Sequence, residues 1–95
     1  MDHGEKVLKV LSKDPDINLV LLDFKLPGIN GLELTAIIKK RYPNIQIIMI
    51  TAYDDEKTKI EAFNLGVSGY ITKPFVLIEF LKVIDKVLID DRGFL

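Results

Sequence analysis

The chain has 95 residues, of which 48% are hydrophobic and 28% are charged, and its formal net charge is −1. These values are typical of one small globular domain. The near-neutral charge argues against nucleic acid as the main partner, and the lack of cysteine excludes a disulfide framework or a thiolate metal site. No apolar run is long enough for a transmembrane helix, and the start lacks a signal-peptide pattern. We therefore expect a cytoplasmic protein without a membrane partner.

Three apolar segments predict buried strands. They are Ile17–Asp23, Ile45–Thr51 and Gly69–Thr72. The first is an almost unbroken apolar run, which is typical of strands that helices cover on both faces.

Four further segments have apolar residues at helical spacing. They are Glu5–Lys13, a helix from an Asn30 cap to Arg41, a helix from a cap at Asp54 or Asp55 to about Leu65, and about Val76–Ile89. Leu26–Asn30 is predicted to be a loop and Asp90–Leu95 a fraying tail, and Gly66 favours a left-handed helix end. Lys39, Lys40 and Arg41 are interpreted as a solvated cationic helix end. The alternation of helices and strands predicts an α/β fold with a parallel sheet and helices on both faces.

The three predicted strands end next to residues suited to phosphate chemistry, namely Asp23, Thr51 and Lys73. The carboxyl ends of parallel strands share one edge of the sheet, so we expect these residues to converge there. A carboxylate can attack phosphorus, while a lysine and a hydroxyl can stabilise the phosphoryl group. Taken singly, the aspartate reads more simply as a turn former and the lysine as a solvated side chain. Pro74 after Lys73 indicates a fixed backbone geometry, either cis or trans.

Three stretches carry a resemblance to a known family: LVLLDFKLPGINGLEL, ITA at Ile50–Ala52 and GVSGYITKPF at Gly66–Phe75. They resemble the receiver domain of two-component response regulators, of the chemotaxis-regulator type. The resemblance implies a phosphorelay module, not an enzyme, whose partner is a histidine kinase or a phosphotransfer protein.

The resemblance also implies roles for single residues. Asp23 matches the phosphoacceptor, Lys73 the phosphate-binding lysine, and Thr51 with Tyr70 the switch pair. The backbone carbonyl of Lys25 matches a ligand of Mg²⁺, and Pro27, Gly28 and Gly31 match the loop after the phosphoacceptor. Tyr70 has a simpler interpretation as a packing residue.

The sequence departs from the family at its start. A receiver opens with a strand that carries an acidic pair, then a helix and a second strand, whereas residues 1–95 correspond to the second through fifth helices. We therefore expect a partial flavodoxin-like fold with the family's third, fourth and fifth strands in that order. Mg²⁺ requires about six oxygen ligands, so we predict weak or absent Mg²⁺ binding and autophosphorylation. Asp54 or Asp55 is interpreted as a helix cap before it is interpreted as a metal ligand.

The same departure would leave the Ile17–Asp23 strand as an open apolar edge. We predict a homodimer in which two such strands pair antiparallel and bring the last helices side by side. The alternative function is then a receiver that no longer accepts phosphate and serves as a dimerisation or protein–protein interaction unit. A flavodoxin-like flavin binder is disfavoured because no Ser/Thr- and Gly-rich phosphate loop follows a first strand.

Overall fold

The computed structural model describes residues 3–14, 16–26, 29–52 and 56–92. The elements follow the predicted alternation of helices and strands. They are α1 His3–Lys13, β1 Leu19–Asp23, β2 Lys25–Leu26, β3 Ile29–Asn30, α2 Gly31–Arg41, β4 Gln46–Thr51, α3 Glu56–Leu65, β5 Gly69–Thr72 and α4 Leu77–Arg92. None of the described helices is both long and apolar enough to cross a membrane.

A three-stranded parallel sheet in the order β1-β4-β5 forms the centre of the fold, as the sequence predicts. Asp23 lies opposite Ile50 on β4, and Thr51 lies opposite Thr72 on β5. The apolar residues at the middle of β4 are fully buried, because this strand has a strand on each side and helices on each face. The partial receiver-like α/β fold is thereby confirmed for the described residues.

Two apolar layers cover the two faces of the sheet. One layer joins α1, α2 and α3 to the sheet through side chains such as Leu11, Leu34 and Ile47. The other layer joins α4 to the sheet through Ile48, Ile71 and Val87. The division follows the pleat of β4, because neighbouring residues of a strand point to opposite faces.

Helix α2 begins directly after Asn30, the residue that the sequence predicts as its cap. The Asn30 side chain accepts a hydrogen bond from the Glu33 amide at 2.9 Å. Its amide nitrogen also donates to the Glu33 carboxylate at 2.9 Å. This cap fixes the start of α2 directly after the loop that follows Asp23.

Three predictions about element limits and environments require correction. Part of the predicted loop Leu26–Asn30 forms a short antiparallel ladder in which Lys25 pairs with Asn30 and Leu26 with Ile29. The last helix begins at Leu77 and continues through Arg92, so the predicted tail is helical at its start. Lys39 is also more than a solvated cation, because its ammonium donates to the carbonyls of Pro43 at 2.9 Å and Ile45 at 3.0 Å.

Each correction has a local cause. Strands of two residues each, such as β2 and β3, are too short to show strand periodicity. The segment Asp90–Arg92 contains neither proline nor glycine, so nothing in it stops the helix. Lys39 reaches the turn after α2 through its flexible stem, and this contact leaves no sequence pattern. The proposed caps Asp54 and Asp55 lie outside the described residues.

Gly66 ends α3 with a positive φ of 107°. The amide of Gly66 donates to Phe63 and that of Val67 donates to Ala62, which is the Schellman pattern of hydrogen bonds. A Cβ at this position would lie 3.2 Å from the Cε of Lys39. Glycine is therefore favoured at position 66 for two reasons. The backbone angle is positive, and a side chain here would meet the stem of Lys39.

We expect Gly66→Ala to lower the free energy of unfolding by about 1–2 kcal/mol, because a side chain at positive φ is strained. Asn64→Ala, at an exposed helical position two residues earlier, is the control and should be nearly neutral. Urea denaturation of both variants measures the difference. Equal stability of the two variants would contradict the strained geometry.

Candidate phosphoacceptor site

The site lies at the carboxyl edge of the sheet, where β1 and β5 bring two opposite charges into contact. The Lys73 ammonium is 2.5 Å from Oδ2 of Asp23. The side chains are 44% and 41% exposed, so water reaches both. An exposed pair contributes at most about 1 kcal/mol, so this contact does little to hold the fold together.

Backbone hydrogen bonds to β4 hold both charged residues in place. The Lys73 amide donates to the carbonyl of Thr51 at 2.7 Å, just beyond the end of β5. On the other side of β4, the Phe24 amide donates to the carbonyl of Ile50 at 3.0 Å. The central strand thus fixes the segments after β1 and β5, which lie on either side of it.

Thr51 ends β4 and lies between the two charged partners in strand order. Thr51 as a residue is 1% exposed, in contrast to the open ion pair. Tyr70 lies on β5 opposite Met49, and it is half-buried against the core layer that contains α1, α2 and α3. The packing interpretation of Tyr70 therefore holds in this conformation, while its role as a switch stays a prediction.

The peptide bond between Lys73 and Pro74 is cis, which decides between the two isomers left open by the sequence. Phe75 follows, and its ring stacks on Phe80 of α4 with centroids 5.4 Å apart. The segment after Lys73 is therefore attached to α4 as well as to β4.

Gly31 is a component of the site that the sequence indicates only as part of a loop. Its amide donates to the carbonyl of Phe24 at 2.7 Å, which closes the segment after Asp23. A Cβ on this residue would lie 2.9 Å from the Cα of Phe24 and 3.1 Å from the carbonyl oxygen of Asp23. Only glycine lets the first residue of α2 approach the backbone of Asp23 and Phe24 so closely.

The described residues do not fit Mg²⁺ well on their own. Asp23 supplies one carboxylate, and its Oδ2 already contacts Lys73. Lys25 lies in β2, two residues further on, where its carbonyl is the second oxygen that the resemblance implies. Within the described ranges, no three acidic, histidine or cysteine side chains cluster as metal ligands. One carboxylate and one carbonyl fall well short of the roughly six oxygens that Mg²⁺ requires.

The fold, together with the contact of Asp23 and Lys73, defines a doubly wound α/β domain with a carboxylate and a lysine at the carboxyl edge of its sheet. Known proteins share this design. The sequence model of the response regulator receiver domain matches residues 1–85. The DNA-binding transcriptional regulator NtrC of Proteus hauseri is 36% identical over 88 residues, which are 92% of this chain and 18% of that protein. A CheY homolog of Campylobacter jejuni is 36% identical over 76 residues, which are 78% of this chain and 58% of that protein.

A solved structure gives the same result. The CheY-like receiver domain protein of Methanospirillum hungatei matches with a TM-score of 0.86 and 29% identity, over 95% of this chain and 71% of that one. The chain belongs to the response regulator receiver domain family, and its role is that of a receiver module in two-component signalling. It spans 18% of the length of its NtrC relatives, so the activities of those whole proteins do not transfer to it.

Replacement of Gly31 tests the close packing behind the site. We expect Gly31→Ala to lower the free energy of unfolding by about 1–3 kcal/mol, because a new methyl group is forced against backbone. It should also shift the NMR amide signals of Asp23 and Phe24. Ala36→Ser, at an exposed position of the same helix, is the control and should do neither. Unchanged signals in Gly31→Ala would argue against the close approach.

Proposed function

We propose that Asp23 accepts a phosphoryl group from a histidine kinase or a phosphotransfer protein in the cytoplasm. The observation that carries the proposal is the contact of the Lys73 ammonium with Asp23 at the carboxyl edge of the sheet, next to Thr51 on the central strand. Membership of the receiver family supports the same assignment. The module is an acceptor in a relay and not an enzyme with its own substrate.

The chemistry is a single displacement at phosphorus. A carboxylate oxygen of Asp23 attacks the phosphorus atom, the bond from phosphorus to the donor breaks, and the donor leaves with the electron pair. The product is an acyl phosphate on Asp23. Lys73 offsets the negative charge that this group brings to the carboxyl edge of the sheet. It needs little movement to do so, because it already contacts the carboxylate.

Thr51 and Tyr70 form the proposed switch. Thr51 is buried at the end of the strand beside Asp23, so its hydroxyl has a short path to a phosphoryl group there. Tyr70 lies in β5 on the other side of β4. Movement of the hydroxyl toward the phosphoryl group would leave space for the tyrosine ring to turn further inward.

Acetyl phosphate tests the acceptor. Because the described residues offer Mg²⁺ few ligands, we expect slow phosphorylation that Mg²⁺ speeds up only weakly. Intact-mass spectrometry should show one added phosphoryl group, which Asp23→Asn abolishes. Glu61→Gln, which removes an exposed carboxylate of α3, is the control and should behave like the parent chain. Equal labelling of Asp23→Asn would overturn the assignment, and strong Mg²⁺ dependence would overturn the expectation about the metal.

A second candidate function is that of an interaction unit, and the open edge of the sheet favours it. Among the described residues, β1 pairs with β4 on one side and with no strand on the other. Leu21, at the middle of β1, is 44% exposed. An apolar groove of about 360 Å³ runs along the same strand beneath α1, lined by Val7, Val10 and Leu19 among others.

We propose that the occupant of this edge is a second copy of the chain, paired antiparallel through β1. The occupant must be apolar where it meets this edge, because Leu21 is exposed there and the groove beneath α1 is lined by apolar side chains. A further groove with apolar side chains, among them Ile78, Leu81 and Leu88, lies on α4. The strand β1 itself satisfies this requirement, and two-fold pairing would join two sheets of three strands into one.

Analytical ultracentrifugation tests the dimer. We expect the chain to be a dimer at micromolar concentration and Leu21→Lys to make it monomeric, because a lysine on an edge strand opposes pairing. Ile60→Lys is the matched control, since Ile60 is 53% exposed on α3, away from the edge strand. A monomeric parent chain, or equal loss of dimer in both variants, would contradict the proposal.

A further inference from the structure

A second surface lies at the amino edge of the sheet, opposite the edge that carries Asp23. It is a groove of about 660 Å³ whose lining comes from within residues 11–18 and from residues 41–45, and we call it the amino-edge groove. Its volume is in the range of about 300–1,000 Å³ that is typical of ligand sites. The Gln46 amide donates to the carbonyl of Asn18 at 2.9 Å between the two segments. The groove therefore lies where β1 is paired with β4, and not along the free side of β1.

Part of the lining of the amino-edge groove is apolar. Leu11 of α1 and Ile45 before β4 are buried in the core layer that contains α1, α2 and α3. Ile17 and Tyr42 are half-buried and pack against the same layer. An aliphatic group that enters the groove is removed from water by these side chains, which favours its binding.

Hydrogen bonds order both sides of the amino-edge groove. Before β1, a side-chain oxygen of Asp14 accepts from the Asp16 amide at 3.0 Å, and the Asp14 amide donates to the carbonyl of Val10 at 3.1 Å. Before β4, the Ile45 amide donates to the carbonyl of Tyr42 at 3.0 Å. A groove whose sides are already ordered loses little conformational entropy when a ligand binds.

The charged side chains of the amino-edge groove favour a cation. Asp14 and Asp16 are exposed in the segment before β1, and Arg41 is exposed at the end of α2, so two carboxylates face one guanidinium. Among the described residues, no ion pair joins Arg41 to either carboxylate. The negative ends of the α1 and α2 dipoles contribute less, because Lys13 and Lys39 lie in their last turns. The two carboxylates are therefore the main attraction for a ligand.

We propose that the amino-edge groove binds a partner protein through a segment that carries a lysine or arginine next to an apolar residue. The cation lies against Asp14 and Asp16, and the apolar residue contacts Ile17 and Tyr42. A peptide segment fits better than a small cation, because the groove combines carboxylates with an apolar lining in a volume larger than one side chain.

This binding is separate from the acceptance of a phosphoryl group. The strand β1 has five residues, so the two edges of the sheet are about 15 Å apart. A partner in the amino-edge groove leaves Asp23 open to a phosphodonor at the other edge. One protein can therefore hold the module while another phosphorylates it.

Titration of the nitrogen-15-labelled chain with the capped dipeptide Ac-Leu-Arg-NH2, followed by NMR, tests the groove. We expect the amide shifts to concentrate in residues 11–18 and 41–45. Asp16→Asn should raise the dissociation constant about 2- to 5-fold, because an attraction is lost, and Arg41→Gln should lower it by a similar factor, because a repulsion is lost. Glu61→Gln and Lys59→Gln, at exposed positions of α3, make the same changes in net charge and should leave it unchanged.

Further variants separate the charge of the groove from its structure. Asp14→Asn keeps a side-chain oxygen that can accept from the Asp16 amide, so it removes charge without removing the turn. It should weaken binding as Asp16→Asn does. Ac-Leu-Gln-NH2 and arginine amide should both bind more weakly than Ac-Leu-Arg-NH2, since each lacks one of the two recognised groups.

Asp23→Asn distinguishes this proposal from the proposed phosphoacceptor role. It should bind the dipeptide as the parent chain does, even though it no longer accepts a phosphoryl group. Shifts that centre on the carboxyl edge, or no shifts at the highest soluble concentration of dipeptide, would overturn the groove as a binding site. Equal binding of arginine amide would overturn the peptide partner.

Discussion

The register of three parallel strands is the constraint on which the rest of the structure depends. Because β1, β4 and β5 run in the same direction, Asp23, Thr51 and Lys73 reach one edge although they are widely separated in the chain. The exposed ion pair itself is too weak to set this geometry. The buried apolar residues of the central strand stabilise the sheet, and the sheet in turn positions the charged residues.

The site is held by its backbone more than by its side chains. Segments on both sides of β4 donate amides to its last carbonyls, and Gly31 brings the start of α2 against the backbone of Asp23 and Phe24. These contacts leave the side chains of Asp23 and Lys73 partly exposed to water and to an incoming donor. A rigid frame with an accessible carboxylate suits the acceptor role that we propose for Asp23.

Much of this arrangement could be predicted from the sequence, because its signals are local. The Asn30 cap, the Gly66 helix end and the apolar strands each leave a pattern within a few residues. The β2–β3 ladder leaves none, because it is too short to alternate. The contact of Lys39 with the turn after α2 also escapes sequence reasoning, since it depends on tertiary proximity. The cis peptide before Pro74 is likewise set by the folded context.

The central claim is that Asp23, Thr51 and Lys73 together form a phosphoryl-binding site on this sheet edge. Fluorine NMR with beryllofluoride, a mimic of the phosphoryl group, tests it most directly. The account predicts a bound fluorine signal in the parent chain that Asp23→Asn abolishes and that Lys73→Gln weakens. A bound signal of equal strength in the parent chain and Asp23→Asn, or none in the parent chain at saturating beryllofluoride, would contradict it.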